Sequence, residues 1–173
     1  LCCVRFAENY KEFQIIAAHT VPYSPAWKSK LENAFYDTTT EIDALDKEYS
    51  MLLAEQINDF INTHSLPPID LIASHGHTVF HQPDRGITKQ IGSGEEISKL
   101  TGVQVVYDFR TQDVALGGQG APLVPIGDVI LFNVFDACLN LGGFANVSFD
   151  MQNSRIAYCL LYTSDAADEW LRV

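Results

Sequence analysis

The chain is poor in positive charge, has no long apolar run, and lacks any cysteine or histidine spacing that by itself defines a disulfide or metal framework. Of its 173 residues only 11 are lysine or arginine, against 22 aspartates and glutamates, for a net charge of −11. A surface of that sign repels phosphate backbones and anionic bilayers, which disfavours nucleic acid and membrane as partners. No apolar stretch approaches the roughly 20 residues that span a bilayer, and Leu1 does not open a charged-then-apolar leader. Cys2, Cys3, Cys138 and Cys159 form neither a paired pattern nor a CxxC site, as suits a reducing compartment, so a cytoplasmic location is expected. Internal repeats and low-complexity linkers are absent, as is a glycine-rich loop ending in Gly-Lys-Ser/Thr, so nucleotide binding would need another architecture than the Walker type. What is present is ordinary for a packed domain, with 47% hydrophobic and 19% charged residues. A first residue that is Leu rather than Met leads us to expect a native N-terminus further upstream.

The patterning alternates strands and helices. Leu1–Phe6 and Phe13–His19 read as a hairpin, and Ala26–Ala34 as a short helix behind Pro25. Ile42, Leu45, Tyr49, Leu52, Ile57 and Phe60 recur at helical spacing over Glu41–Thr63, a packing helix without chemistry that Pro67 and Pro68 should end. Asp70–Ser74 reads as a strand, and Val79–His81 with Ile87–Ile91 as a hairpin closed by Pro83–Gly86. Ser93 and Glu96 suit the start of a helix over Gly94–Thr101, which Gly102 stops. A strand at Val103–Val106, a helix over Gly127–Val134, and strands Ala137–Leu141 and Phe144–Phe149 complete an α/β chain.

Chemistry concentrates in Val105–Pro125, VVYDFRTQDVALGGQGAPLVP. Asp108, Arg110 and Asp113 arrive where a buried strand gives way to a loop, the place where α/β folds collect ligands. Gly117, Gly118 and Gly120 let the backbone approach a ligand around Gln119, and these groups suit a polyhydroxylated substrate. The competing reading is a strand ending in an Asx turn with a solvated ion pair. His75-Gly76-His77-Thr78 is a second candidate. With His81 it invites a metallohydrolase reading, but no third ligand set completes it, and His75 better suits a hydrogen bond to ligand or backbone. Asn140, Gly142, Gly143 and Asn146 surround a tight turn whose N–H groups could point at an anion, or could simply close a hairpin.

Read together, SHGHTVFHQP with QIGSG, VVYDFRTQDVALGGQGAPLVP and LNLGGFANVS resemble the anhydro-N-acetylmuramic acid kinase family over nearly all of Leu1–Tyr158. The resemblance implies an actin-like (ribonuclease H-like) sugar kinase fold that uses ATP and Mg²⁺. Such a kinase opens the 1,6-anhydro bond of anhydro-N-acetylmuramic acid with water and phosphorylates O6, giving N-acetylmuramic acid 6-phosphate in cell-wall recycling. It implies residues 1–134 as a first lobe lacking its first strand and phosphate loop, and 135–158 as the opening hairpin of the second lobe. His75, Asp108, Arg110, Asp113 and Gln119 become substrate-binding residues, and Asn140, Gly142 and Gly143 nucleotide-phosphate-binding ones. The partners implied are the amino sugar and ATP, and a homodimer is compatible with the family.

The sequence departs from the family pattern at His77, where glutamine is usual, and at Thr111-Gln112, which replaces an arginine-rich pair. An MSGTSLDG-like phosphate loop is expected before Leu1. The catalytic base, in a GxDxGPGN-like stretch, is expected beyond Tyr158, with Asp108 and Asp113 as fallback candidates. From Cys159 the chain reads CLLYTSDAADE, which resembles a translated sequencing adapter, so 159–173 are set aside from the fold. On this reading the 173-residue polypeptide is a fragment without turnover. A stand-alone lobe that holds an amino sugar without reacting it is the alternative.

Overall fold

The computed structural model describes residues 1–8, 11–120, 123–141, 145–151 and 154–160. The fold is mixed α/β, built on small sheets, and the chain divides into two compact units. The first comprises Leu1–Arg5 and Gln14–Ala121, the second Phe6–Phe13 and Pro122–Val173.

At the start of the chain, β1 (Cys2–Phe6) and β2 (Phe13–Ala18) pair as the expected hairpin. Helix α1 (Pro25–Asn33) starts at a Ser24 cap whose hydroxyl accepts from the Trp27 N–H, and Pro25 fills a first-turn position that needs no donor. Helix α2 (Thr39–Thr63) opens with a reciprocal capping box: Glu41 N–H donates to the Thr38 hydroxyl, and the Glu41 carboxylate accepts from the Thr38 N–H. Its buried face carries Ile42, Leu45, Tyr49, Ala54, Ile57 and Phe60, one stripe at helical spacing. The helix stops before the two prolines do any work. Ser65 takes a left-handed φ of 48°, and Leu66 N–H closes back on the Ile61 carbonyl at 3.0 Å.

Strand β3 (Ile72–Ala73) pairs parallel with β6 (Val105–Val106), in the register Ile72↔Val105. Both are shorter than the sequence suggests, although Ile72 N–H to Gln104 O and Ser74 N–H to Val106 O, each 2.9 Å, extend the ladder at both ends. Strands β4 (His77–Gln82) and β5 (Ile87–Ile91) form an antiparallel hairpin closed by a 3₁₀ turn at Pro83–Arg85 and by Gly86 at φ +69°. Helix α3 (Gly94–Thr101) runs from a Ser93 cap to Gly102, at φ +72°. The core gathers Leu31, Ala34, Ile42, Leu45, Tyr49, Val79 and Ile91, while α2 packs along α3 and β5. Where a loop was expected after Asp108, the structure has a short helix, α4 (Thr111–Ala115). Its five residues are too few to show a period, and what starts it is the Asp108 carboxylate accepting the Thr111 N–H at 3.2 Å.

In the second unit, helix α5 (Leu123–Leu131) begins four residues before the expected Gly127. Pro125 lies in its first turn, where a missing N–H costs nothing, so the proline does not delay the start. The helix also ends before Val134, because Phe135 N–H turns back to Phe132 O at 3.1 Å. Strands β7 (Ala137–Leu141), β8 (Ala145–Met151) and β9 (Ser154–Leu160) form an antiparallel meander. The third strand is absent from the sequence reading. It pairs along the whole of β8 and carries the backbone past Tyr158 to Leu160, opposite Ala145. Residues 161–173 lie outside the described residues. Among the described residues no helix is long and apolar enough to cross a membrane.

Candidate functional site

Parallel pairing of β3 with β6 makes both strands leave the sheet at the same edge, so the segments that follow them emerge side by side. Ser74 and His75 follow one strand, Tyr107 and Asp108 the other. They line a cleft of about 270 Å³, to which α2 contributes Asp46, β5 contributes Gln90, and the β5–α3 turn contributes Gly92 and Ser93. Asp108 holds φ at +54°, a left-handed conformation that aspartate tolerates better than most side chains, and such departures gather at functional sites. Gly94 owes its identity to the same wall, because a Cβ there would overlap the Tyr107 ring.

Arg110 joins the two loops. Its Nε–H donates to His75 Nε2 at 3.1 Å, and its Nη1–H donates to the Gly120 carbonyl at 2.8 Å. An arginine nitrogen can only donate, so His75 Nε2 must accept. The His75 proton therefore sits on Nδ1, which donates to the Gly76 carbonyl at 3.1 Å. Asp113 fixes the glycine loop from inside: its carboxylate accepts from Gly120 N–H at 2.6 Å, and its backbone carbonyl accepts from Gly118 N–H at 2.7 Å. A side chain at 118 would collide with that carboxylate, and Gly120 at φ +71° is closed in by His81 and Val114.

Of the five substrate-side residues, His75 and Asp108 share the cleft, Arg110 bonds to His75, and Asp113 connects through the Gly120 backbone. Gln119 does not join them; it is exposed on the loop and is not part of the cleft lining. Asn140 lies in the second unit, on β7 opposite Asn146 of β8, and is exposed. Gly142 and Gly143 fall outside the described residues.

His77 and His81 have separate partners. His81 Nδ1 lies 3.3 Å from the Thr88 hydroxyl, and His77 packs edge-on against Tyr49. Among the described residues no group of three or more His, Cys, Asp or Glu side chains could hold a metal ion. Burial lowers the pKa of His77 from its ordinary 6.5, a bond to the Leu31 backbone opposes this, and the nearby His75 adds a smaller push downward. A depressed folded value means that the unfolded chain binds the proton first, so the His77 contribution to stability is present above about pH 6.5 and is lost as pH falls through the folded value. His77→Gln is expected to flatten that acidic limb, as read from urea midpoints at pH 7 and pH 5. Equal loss of stability in both proteins between the two pH values would refute it.

Residues overlooked in the sequence are Asp46 and Ser50. They interrupt the apolar stripe of α2 one turn apart, the one signal that could have exposed them, and they add to that packing helix a polar contact with the β5–α3 turn. Asp46 Oδ1 accepts from Gly92 N–H at 2.7 Å and from Ser93 N–H at 3.0 Å. The fully buried Ser50 accepts from the same Ser93 N–H at 2.8 Å and donates to the Asp46 carbonyl at 2.6 Å. Gln90 donates to Thr88 at 2.9 Å and keeps a buried Oε1 without a partner among the described residues.

The family model for anhydro-N-acetylmuramic acid kinase matches residues 2–159. An anhydro-N-acetylmuramic acid kinase of Colwellia psychrerythraea is 38% identical over 86% of this chain and 40% of its own length. That of Acinetobacter baylyi is 37% identical over 94% of this chain and 50% of its own, and that of Methylobacterium nodulans is 47% identical over 60% and 29%. The chain thus spans half or less of the length of these relatives. With a match that covers almost every described residue, including the strand-end cleft and the Arg110 bridge, the chain belongs to the anhydro-N-acetylmuramic acid kinase family.

Proposed function

We propose that this chain forms the sugar-binding part of an ATP-dependent kinase that opens 1,6-anhydro-N-acetylmuramic acid with water and phosphorylates O6. The observation that carries the reading is the joint exit of β3 and β6, which sets His75 and Asp108 in one cleft with Arg110 bonded behind them. Asp108 is the sugar-side carboxylate, since it lines the cleft, whereas the Asp113 carboxylate accepts the Gly120 N–H and fixes the loop. Arg110 gives one N–H each from Nε and Nη1 to the protein, which leaves the second Nη1–H and both N–H groups of Nη2 for an anionic or carbonyl group of the sugar. His75, with Nδ1 protonated, holds that guanidinium in place.

The larger architecture follows the family: an actin-like fold with 1–134 in a first lobe and 135–158 opening a second. Asn140, Gly142 and Gly143 would hold ATP phosphate through backbone N–H groups, and the polar, exposed Asn140 near the end of β7 suits that role. Mg²⁺ would arrive on the phosphates of ATP, neutralising their charge. Mg²⁺ is commonly held in this way, by few protein oxygens and several waters. A cytoplasmic location and a homodimer are both compatible with this reading.

The test uses the open reading frame that contains these residues, with ATP, Mg²⁺ and the anhydrosugar in ¹⁸O-labelled water. The expected product is N-acetylmuramic acid 6-phosphate carrying one labelled oxygen at the anomeric carbon. ATP consumption without sugar phosphate, or phosphorylation with the anhydro bond intact, would contradict the proposal.

A further inference from the structure

One wall of the cleft comes from neither strand end. It is the turn Gly92–Ser93 between β5 and α3, and this turn is tied to the middle of α2, more than forty residues away in sequence. Two backbone N–H groups point into one carboxylate oxygen of Asp46, and the Ser93 N–H is shared with the Ser50 hydroxyl. Charge-assisted bonds of this kind are stronger and more directional than neutral ones. Gly92 adopts φ +106°, and a Cβ there would lie 3.1 Å from Leu53 and 3.3 Å from the Cα of Gly76. Gly92 therefore runs so close to Gly76 that no side chain fits between them, and Gly76 is the neighbour of His75 and the residue whose carbonyl accepts the hydrogen bond of His75 Nδ1–H.

We infer that Asp46 and Ser50 are positioning residues for sugar recognition: by gripping Gly92 and Ser93 they buttress Gly76, and through it they fix the orientation of His75 and hence of Arg110. This rests on the sugar-binding reading above. Asp46 acts through the acceptor that it offers to two amides, so asparagine, whose neutral side-chain oxygen still accepts from both though more weakly, should largely replace it, and alanine should not.

The experiment compares Asp46→Ala, Asp46→Asn and Ser50→Ala with the parent 173-residue chain. It reads amide hydrogen exchange at Gly92 and Ser93, the ¹⁵N shifts of the His75 ring, and calorimetric affinity for 1,6-anhydro-N-acetylmuramic acid. Asp46→Ala is expected to speed exchange at both amides by about tenfold or more, to shift the His75 ring nitrogens, and to weaken the sugar by about tenfold. Asp46→Asn should stay within about threefold of the parent on every reading, and Ser50→Ala, which removes one of two acceptors at Ser93, should fall between. If Asp46→Ala leaves the His75 signals and the affinity unchanged, or if asparagine behaves as alanine does, the positioning role is overturned. A parent chain that binds no anhydrosugar contradicts the functional reading alone, because the exchange rates and His75 shifts still decide whether the latch exists. Should Asp46→Ala not fold, the Ser50→Ala and Asp46→Asn readings carry the same decision.

Discussion

Gly76→Ala is expected to destabilise the first unit by about 3 kcal/mol, the sum of a left-handed backbone and a clash that cannot relax. Gly76 sits at φ +68°, and an added Cβ would fall inside the van der Waals envelope of the Ile91 carbonyl oxygen, which is backbone of a paired strand. Nothing flexible can yield there. Ile91 is itself in the core at 1% exposure, so the strand cannot shift without disturbing Leu45 and Tyr49. Urea titration followed by circular dichroism would register the loss as a large drop in midpoint. A midpoint equal to that of the parent would show that the HGHT segment is not packed against β5 as described. Gly86→Ala is the matched control: its φ is +69°, yet no atom lies near the position of its Cβ, so only the backbone cost of about 1–2 kcal/mol applies.

The second large effect is on recognition. Arg110→Ala removes both bonds that tie His75 to the Gly117–Gly120 loop, and it is expected to lower affinity for the anhydrosugar by about a hundredfold, some 2.7 kcal/mol. Stability should change by less than about 1 kcal/mol, since Arg110 is only half-buried and its removal opens no apolar cavity. Arg110→Lys should recover little. One ammonium cannot donate at the Nε and Nη1 positions together, and it offers no third planar nitrogen to the ligand. Calorimetry on the three proteins separates these outcomes; a lysine variant that binds as the parent does would reduce Arg110 to a bulk positive charge.

Much of this fold can be read from local signals. The Thr38–Glu41 box, Pro25 at a first turn, Ser93 before Gly94 and Gly102 after Thr101 each mark a helix end through a specific unsatisfied donor or acceptor. The hairpin turn at Pro83–Gly86 is legible for the same reason. Elements defined by a distant partner are less so. Strands β3 and β6 are two residues each and exist because they pair with one another, and β9 is specified by its register on β8. At the site, Asp108, Arg110 and Asp113 stand out as dense polar groups between apolar runs, but their division of labour is visible only once Gly120 is seen to bond Asp113 through its N–H and Arg110 through its carbonyl. Asp46 looks like any polar residue on an amphipathic helix, because its partners are backbone N–H groups that no sequence pattern displays.

The measurement that bears most directly on the central claim is a titration of 1,6-anhydro-N-acetylmuramic acid into the ¹⁵N-labelled chain, followed residue by residue. Saturable shifts are expected at Ser74–Gly76, Gly92–Ser93 and Tyr107–Thr111, with the His75 ring moving in step and the whole response absent in Arg110→Ala. Shifts confined to other surfaces, or an Arg110→Ala protein that responds as the parent does, would contradict the placement of the sugar at the joint exit of β3 and β6.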